Sequence, residues 1–190
     1  VDDAHGLGVL GEGGRGTASY FGLEDKVDVY MGTFSKSLAS LGGYMAASKA
    51  VTEYVRHASR PFIFSASIPP ANCATALAAL CKLEAHPELP ERLRELSLYA
   101  RKGFTERGLK IRESALNAPT PIIPIYTYET MRTLDAAQKI YERGVYVNPT
   151  LPPATPEGEA LLRTSYMATH TEALLDEAMD IMAEVLLHEQ

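Results

Sequence analysis

The chain has 190 residues and a net charge of −6, from 18 Lys and Arg against 24 Asp and Glu. That length suits one domain or two small ones, and an acidic balance without a basic cluster excludes nucleic acid, which needs a positive stripe to displace counterions. No apolar run approaches the roughly 20 residues that span a bilayer, so no transmembrane segment is expected and the chain reads as globular and cytoplasmic. Cys73 and Cys81, the only cysteines, lack the spacing of a redox or zinc pair. They read as reduced core thiols, and no metal site is expected.

The chain opens Val1-Asp2-Asp3-Ala4-His5-Gly6. Asp2 and His5 follow what reads as a strand end, where α/β folds place ligand-binding groups. Gly6-Leu7-Gly8-Val9-Leu10-Gly11 matches a dinucleotide fingerprint, but Glu12-Gly13-Gly14-Arg15-Gly16 follows where that motif needs a helix, so the stretch reads as a glycine-rich loop. Val27–Met31 reads as a buried strand and Tyr44–Ala47 as the next. Between them lies Gly32-Thr33-Phe34-Ser35-Lys36-Ser37-Leu38-Ala39-Ser40-Leu41-Gly42-Gly43. Lysine is normally a solvated surface residue, and a surface lysine in a polar turn is the plain reading. Desolvated in such a loop, its amine loses the proton more readily and can attack a carbonyl to form a Schiff base. Thr33 and Ser35 add hydroxyls of the kind that grip a phosphate. A lysine joined to pyridoxal phosphate needs a carboxylate to keep the pyridine nitrogen protonated, and Asp2 is the candidate.

Further along, Lys49–His57 reads as a surface helix, Phe62–Ser65 as a strand and Ala71–Glu84 as a long helix after Pro69-Pro70. His86-Pro87 and Leu89-Pro90 interrupt it, since the residue before proline avoids the helical region. A second helix runs from Glu91 to Arg107 and stops at Gly108. The domain boundary is expected near His86, giving domains 1–86 and 87–190. In the second, Ile122–Thr127 is a strand near an edge because of Pro124. Met131, Leu134, Ala137, Ile140 and Tyr141 form a helical apolar face closed by Gly144. Val145–Val147 is β-like, Leu162–Tyr166 is a strand carrying Arg163, and Thr171 caps a last helix. Leu174, Leu175, Ala178, Met179, Met182, Val185 and Leu186 are its expected buried stripe. His170 is expected to fix the turn before it, and His57, His86 and His188 to be solvated.

Five stretches in this order, Asp2–Gly6, Gly13–Gly16, Gly32–Ser37, Arg60–Ser67 and Leu162–Thr164 through Ala168–Thr171, resemble the α-oxoamine synthases. The resemblance runs over nearly the whole chain. It implies an α/β architecture, the fold type I of pyridoxal-phosphate-dependent transferases. A partial large domain with a mainly parallel sheet is expected over 1–86, with a C-terminal α+β small domain over 87–190, as the C-terminal part of a longer enzyme. It implies an acyltransferase joining an amino acid to an acyl-CoA with loss of carbon dioxide. The Gly-Thr-Phe-Ser-Lys-Ser phrase and Pro152-Pro153-Ala154-Thr155-Pro156 are most similar to the branch that uses serine and palmitoyl-CoA, for sphingolipid bases. Glycine with acetyl-CoA, or alanine with a pimeloyl thioester, is the alternative. Some members of the serine branch carry an arginine before the Pro-Pro stretch; here it is Leu151. By resemblance, Lys36 bonds the cofactor and moves the α-proton, Asp2 holds the pyridinium and His5 contacts the ring oxygen. Thr33 and Ser35 contact the phosphate, Ser65 reaches the phosphate of the neighbouring subunit in a homodimer, and Arg163 binds the amino-acid carboxylate. A non-catalytic partner subunit is the reading from a different class, against which Lys36, Asp2 and His5 all stand.

Overall fold

In a computed structural model, residues 1–112 and 120–188 are described. They fall into two compact units, Val1–Glu91 and Arg92–Gln190.

The first unit opens with an extended segment whose Asp2 bridges Met31 in parallel. Thr17–Phe21 (α1) is a short helix after the glycine loop, and Val29–Thr33 (β1) and Gly43–Ala47 (β2) follow. β1 and β2 are antiparallel, with Val29 opposite Ala47 and Thr33 opposite Gly43. The expected parallel direction is met only at the Asp2 segment, where the Asp3 N–H donates to Met31 O at 2.7 Å and the Met31 N–H to Val1 O at 2.9 Å. The physical reason is connection length. A parallel neighbour needs a crossover of about a dozen residues or more; the path from Asp2 to Met31 provides one, and the short loop between β1 and β2 does not.

Lys49–Ala58 (α2) is followed by Arg60–Phe64 (α3) and Pro70–Ala85 (α4). α3 corrects the strand expected at Phe62–Ser65. Pro61 stands in its first turn, where a missing N–H costs nothing and the fixed φ suits a helix; the aromatic and β-branched run only mimicked a strand. α4 corrects the core thiols: Cys73 and Cys81 are both exposed. Its apolar residues go round the whole helix, so the pattern defines no buried stripe, and Ala76 alone is buried there. Glu88–Glu106 (α5) starts before Pro90, three residues earlier than the pattern suggests, because proline is tolerated in a first turn. His86 is exposed and paired through Nδ1 with Glu88 at 2.8 Å. After α5, Gly108 takes a φ of 79° and the Leu109 N–H returns to Phe104 O at 3.0 Å, a glycine-closed helix end.

The second unit holds the main core. Ile122–Tyr128 (β3), Thr130–Glu142 (α6), Asn148–Thr150 (β4), Ala160–Ser165 (β5) and Glu172–Leu187 (α7) follow in order. The sheet order is β3-β5-β4, all antiparallel. Pro124 sits on the edge strand β3; its carbonyl accepts outward from the Arg112 N–H at 3.0 Å, so its missing donor costs the pairing with β5 nothing. Leu96, Phe104, Ile123, Ile140, Leu162 and Met179 are among the fully buried members of one cluster. The Tyr99 hydroxyl donates to Asp176 at 2.6 Å, joining α5 to α7, and Arg107, just past the end of α5, donates from Nε to Asp180 at 2.6 Å.

Three expectations shift here. α6 turns Thr133, Ala136 and Ile140 inward, leaving Met131, Leu134 and Tyr141 exposed. The threonine is admitted because Thr133 and Thr127 share a 2.6 Å hydroxyl bond in which one donates to the other, and the accepting hydroxyl sends its own proton to a backbone carbonyl, Ala160 O for Thr127 or Glu129 O for Thr133, so neither is buried unsatisfied. Val145–Val147 is not a strand: the Val145 N–H is spent on Ile140 O, closing α6, and pairing begins at Asn148. On α7, Leu175, Met179, Met182, Val185 and Leu186 are buried but Leu174 is exposed. The Leu174 N–H instead donates to Oγ1 of the N-cap Thr171 at 3.3 Å.

Candidate active site

In the first unit, two segments distant in sequence are tied side by side. The Asp2–His5 segment lies along β1 through the Asp2–Met31 bridge. The loop 34–42 that follows β1 carries Lys36, and Ser37 Oγ donates to Leu7 O at 2.7 Å. Asp2 is exposed, and its Oδ1 accepts the Ala4 N–H at 3.0 Å, the short turn that aspartates favour. His5 is exposed at the start of the glycine loop.

The lysine loop is built by its own side chains. Leu38 is buried beneath it, and Ala39 has a φ of 48°, an uncommon backbone region for a residue with a Cβ. The Ser40 hydroxyl donates to Asn72 O on α4 at 2.7 Å. Lys36 is exposed, so within this chain its amine is not desolvated as the sequence argument requires. Thr33 Oγ1 donates to Gly42 O at 3.0 Å, meets Ser35 Oγ at 2.8 Å and accepts the Ser35 N–H at 3.2 Å. Two hydroxyls and an amine thus stand within four residues. For a phosphate to take both protons, they must leave Gly42 O and Thr33 Oγ1.

Ser65 follows α3 and is exposed. Three residues on, Ile68 lies against Gly42 so closely that a Cβ there would be 2.5 Å from Ile68 Cδ1. Behind the loop, Phe34 and Tyr44 stack with centroids 5.9 Å apart. Burial, and then the charge of Asp3, raise the Tyr44 hydroxyl above its ordinary pKa, so it stays a neutral phenol.

Arg163 belongs to the second unit, in the middle of β5, opposite Pro124 on one side and Asn148 on the other. Its Nε is buried without an acceptor. A guanidinium is a planar fork that suits a carboxylate, and an orphaned donor on it fits a missing anionic partner. His170 fixes the turn ahead of α7: its Nδ1 accepts the Met167 N–H at 3.3 Å.

Sequence reasoning missed Asp3, Thr17, Ser37 and Ser40, the residues that bind these segments to each other. Asp3 lay inside a quoted motif, but nothing in the sequence says which of two adjacent aspartates points inward. Among the described residues no group of three or more His, Cys, Asp or Glu could hold a metal, and no helix is long and apolar enough to cross a membrane.

A family model described as aminotransferase class I and II matches residues 1–182. The chain is 45% identical over 180 residues to a serine palmitoyltransferase of Bacteroides ovatus, covering 95% of this chain and 45% of that one. It is 41% identical over 182 residues to 8-amino-7-oxononanoate synthase 1 of Bacillus subtilis, covering 96% and 45%. A solved structure of SPT with a PLP internal aldimine superposes with a TM-score of 0.90 at 35% identity, over 97% of this chain and 46% of that one. The chain thus spans a little under half the length of the relatives it matches.

Proposed function

The chain belongs to the aminotransferase class I and II family, and we propose that the whole protein is a pyridoxal-phosphate-dependent α-oxoamine synthase joining serine to palmitoyl-CoA, with release of carbon dioxide and CoA. The observation that carries this reading is the Lys36 loop lashed to the Asp2–His5 segment through Met31 and Leu7. The similarity to serine palmitoyltransferases over nearly the whole chain supports the choice of substrates.

The donor set fits the cofactor. It offers an amine for an aldehyde, hydroxyls for a phosphate, a carboxylate for a pyridinium and an arginine for an amino-acid carboxylate. When bound, pyridoxal phosphate supplies an electron sink for negative charge at the amino acid α-carbon. Lys36 Nζ holds the cofactor in the resting protein, then takes and returns the proton at that carbon. Asp2 accepts a charge-assisted hydrogen bond from the ring N–H, and His5 contacts the ring oxygen. Thr33 and Ser35 donate to the phosphate, and Ser65 does so in the neighbouring subunit of a homodimer. Arg163 orients the substrate carboxylate by the fork whose Nε is without an acceptor.

The test is an absorption titration of the whole protein with pyridoxal phosphate, then product analysis with serine, glycine and alanine against palmitoyl-, acetyl- and pimeloyl-CoA. A long-chain amino ketone from serine alone supports the proposal. Product only from alanine with the pimeloyl thioester supports the second reading, an 8-amino-7-oxononanoate synthase, which the relative from B. subtilis and Leu151 in place of an arginine favour. No visible band on titration overturns both.

A further inference from the structure

Asp3 is 3% exposed, an unusual place for a carboxylate. Its oxygens accept the Thr17 N–H at 3.0 and 3.1 Å, and Oδ1 accepts the Thr17 hydroxyl at 2.6 Å. Two glycines close over it: a Cβ at Gly6 would lie 1.9 Å from Oδ1, and one at Gly16 1.8 Å from Oδ2. The glycine loop is therefore moulded around this carboxylate.

The backbone of Asp3 makes three further bonds. Its N–H donates to Met31 O, and its carbonyl accepts from Gly6 at 3.1 Å and Leu7 at 3.2 Å. One residue thus joins β1, the turn that carries His5, and Thr17. In an extended segment successive side chains face opposite ways, so burying Asp3 is what presents Asp2 on the exposed side. The same turn is held at its far end by Ser37, through Leu7 O.

We propose that Asp3 is a positioning residue for the group Asp2, His5 and Lys36: held by Thr17, its buried carboxylate fixes the turn carrying Asp2 and His5 against the lysine loop, and so sets the affinity for pyridoxal phosphate. The inference rests on the cofactor reading above. A capping role alone is a weaker account, because the helix it would serve, α1, has only five residues.

The experiment titrates the apo form of the whole protein with pyridoxal phosphate, and records Kd, the pH midpoint of the visible band and the melting temperature. Asp3→Ala is expected to raise Kd roughly tenfold and shift the midpoint, because it removes every bond to Thr17. Thr17→Val, a milder change that keeps the N–H bond and removes only the hydroxyl, is expected to raise Kd roughly threefold. Asp3→Asn keeps an acceptor of the same shape and Thr17→Ser keeps the hydroxyl; both are expected to stay near the wild-type Kd and midpoint. A lower melting temperature with unchanged Kd and midpoint in the Ala and Val variants overturns the proposal, as does an Asn variant as weak as Ala. Wild-type protein that develops no visible band overturns the cofactor reading and this inference with it; a normal wild type with indistinguishable variants overturns this inference alone.

Discussion

Ser37 donates its hydroxyl to the carbonyl of Leu7 across 30 positions of sequence, at 2.7 Å. This side-chain bond joins the lysine loop to the His5 turn, and it is exposed. A neutral hydrogen bond contributes about 0.5–1.5 kcal/mol net, with exposed ones at the low end. Ser37→Ala is therefore expected to leave the melting temperature almost unchanged while raising the pyridoxal phosphate Kd roughly threefold. Titration of the apo variant checks this; an unchanged Kd means the loop needs no such tie.

Borohydride reduction of the whole protein loaded with pyridoxal phosphate is expected to fix the label on Lys36. Lys49 and Lys82 lie on α2 and α4, outside the stretch that carries Thr33 and Ser35. Lys36→Ala should lose the label and at least about a hundredfold in turnover, the scale of general acid–base catalysis. Peptide mapping that finds the label elsewhere refutes the assignment.

Arg163→Ala is expected to raise the KM for the amino acid roughly ten- to a hundredfold, since a charged hydrogen bond contributes about 1.5–3 kcal/mol. Cofactor binding should hardly move. An unchanged KM for serine, glycine and alanine alike would place the carboxylate elsewhere.

What could be read from the sequence were signals local to the chain. Gly108 and Gly144 closed helices because each adopts a left-handed backbone, and Thr171 capped α7 because its hydroxyl reaches an N–H three residues on. The grouping of Lys36 with Thr33 and Ser35 was legible for the same reason: the three stand in one short stretch. What failed depended on partners on other elements. The inward face of α6 is set by Thr127, on another strand, and the buried side of the opening segment by Thr17. An apolar run such as Phe62–Phe64 carries no mark of helix or strand beyond the proline before it.

The face of α6 can be checked by stability. Ile140 is fully buried and Met131 is 74% exposed. Ile140→Ala should cost about 2–5 kcal/mol, counting lost burial and the cavity left behind. Met131→Ala should stay within about 0.5 kcal/mol. Urea unfolding followed by circular dichroism separates them; equal costs would restore the face read from the sequence.

Tyr166 follows β5. Its hydroxyl lies 2.8 Å from Thr164 Oγ1. Burial pushes its pKa well above the ordinary tyrosine value, and the Thr164 bond and the charge of Arg101 lower it without undoing that effect. The sign follows from linkage. A folded pKa above the unfolded one means that the native state keeps a proton the unfolded chain gives up, so stability is full below about pH 10 and declines above it. The decline from this residue approaches about 1.4 kcal/mol per pH unit beyond pH 10. Tyr166→Phe has no proton to lose, and Thr164 keeps its bond to Ile123 O. The variant should therefore lose stability less steeply than wild type between pH 10 and the folded pKa. Urea midpoints on both proteins across that window, with tyrosinate absorbance recorded alongside, test the point. Parallel slopes, or a Tyr166 signal that titrates near pH 10 in the native state, would show that the hydroxyl is open to water.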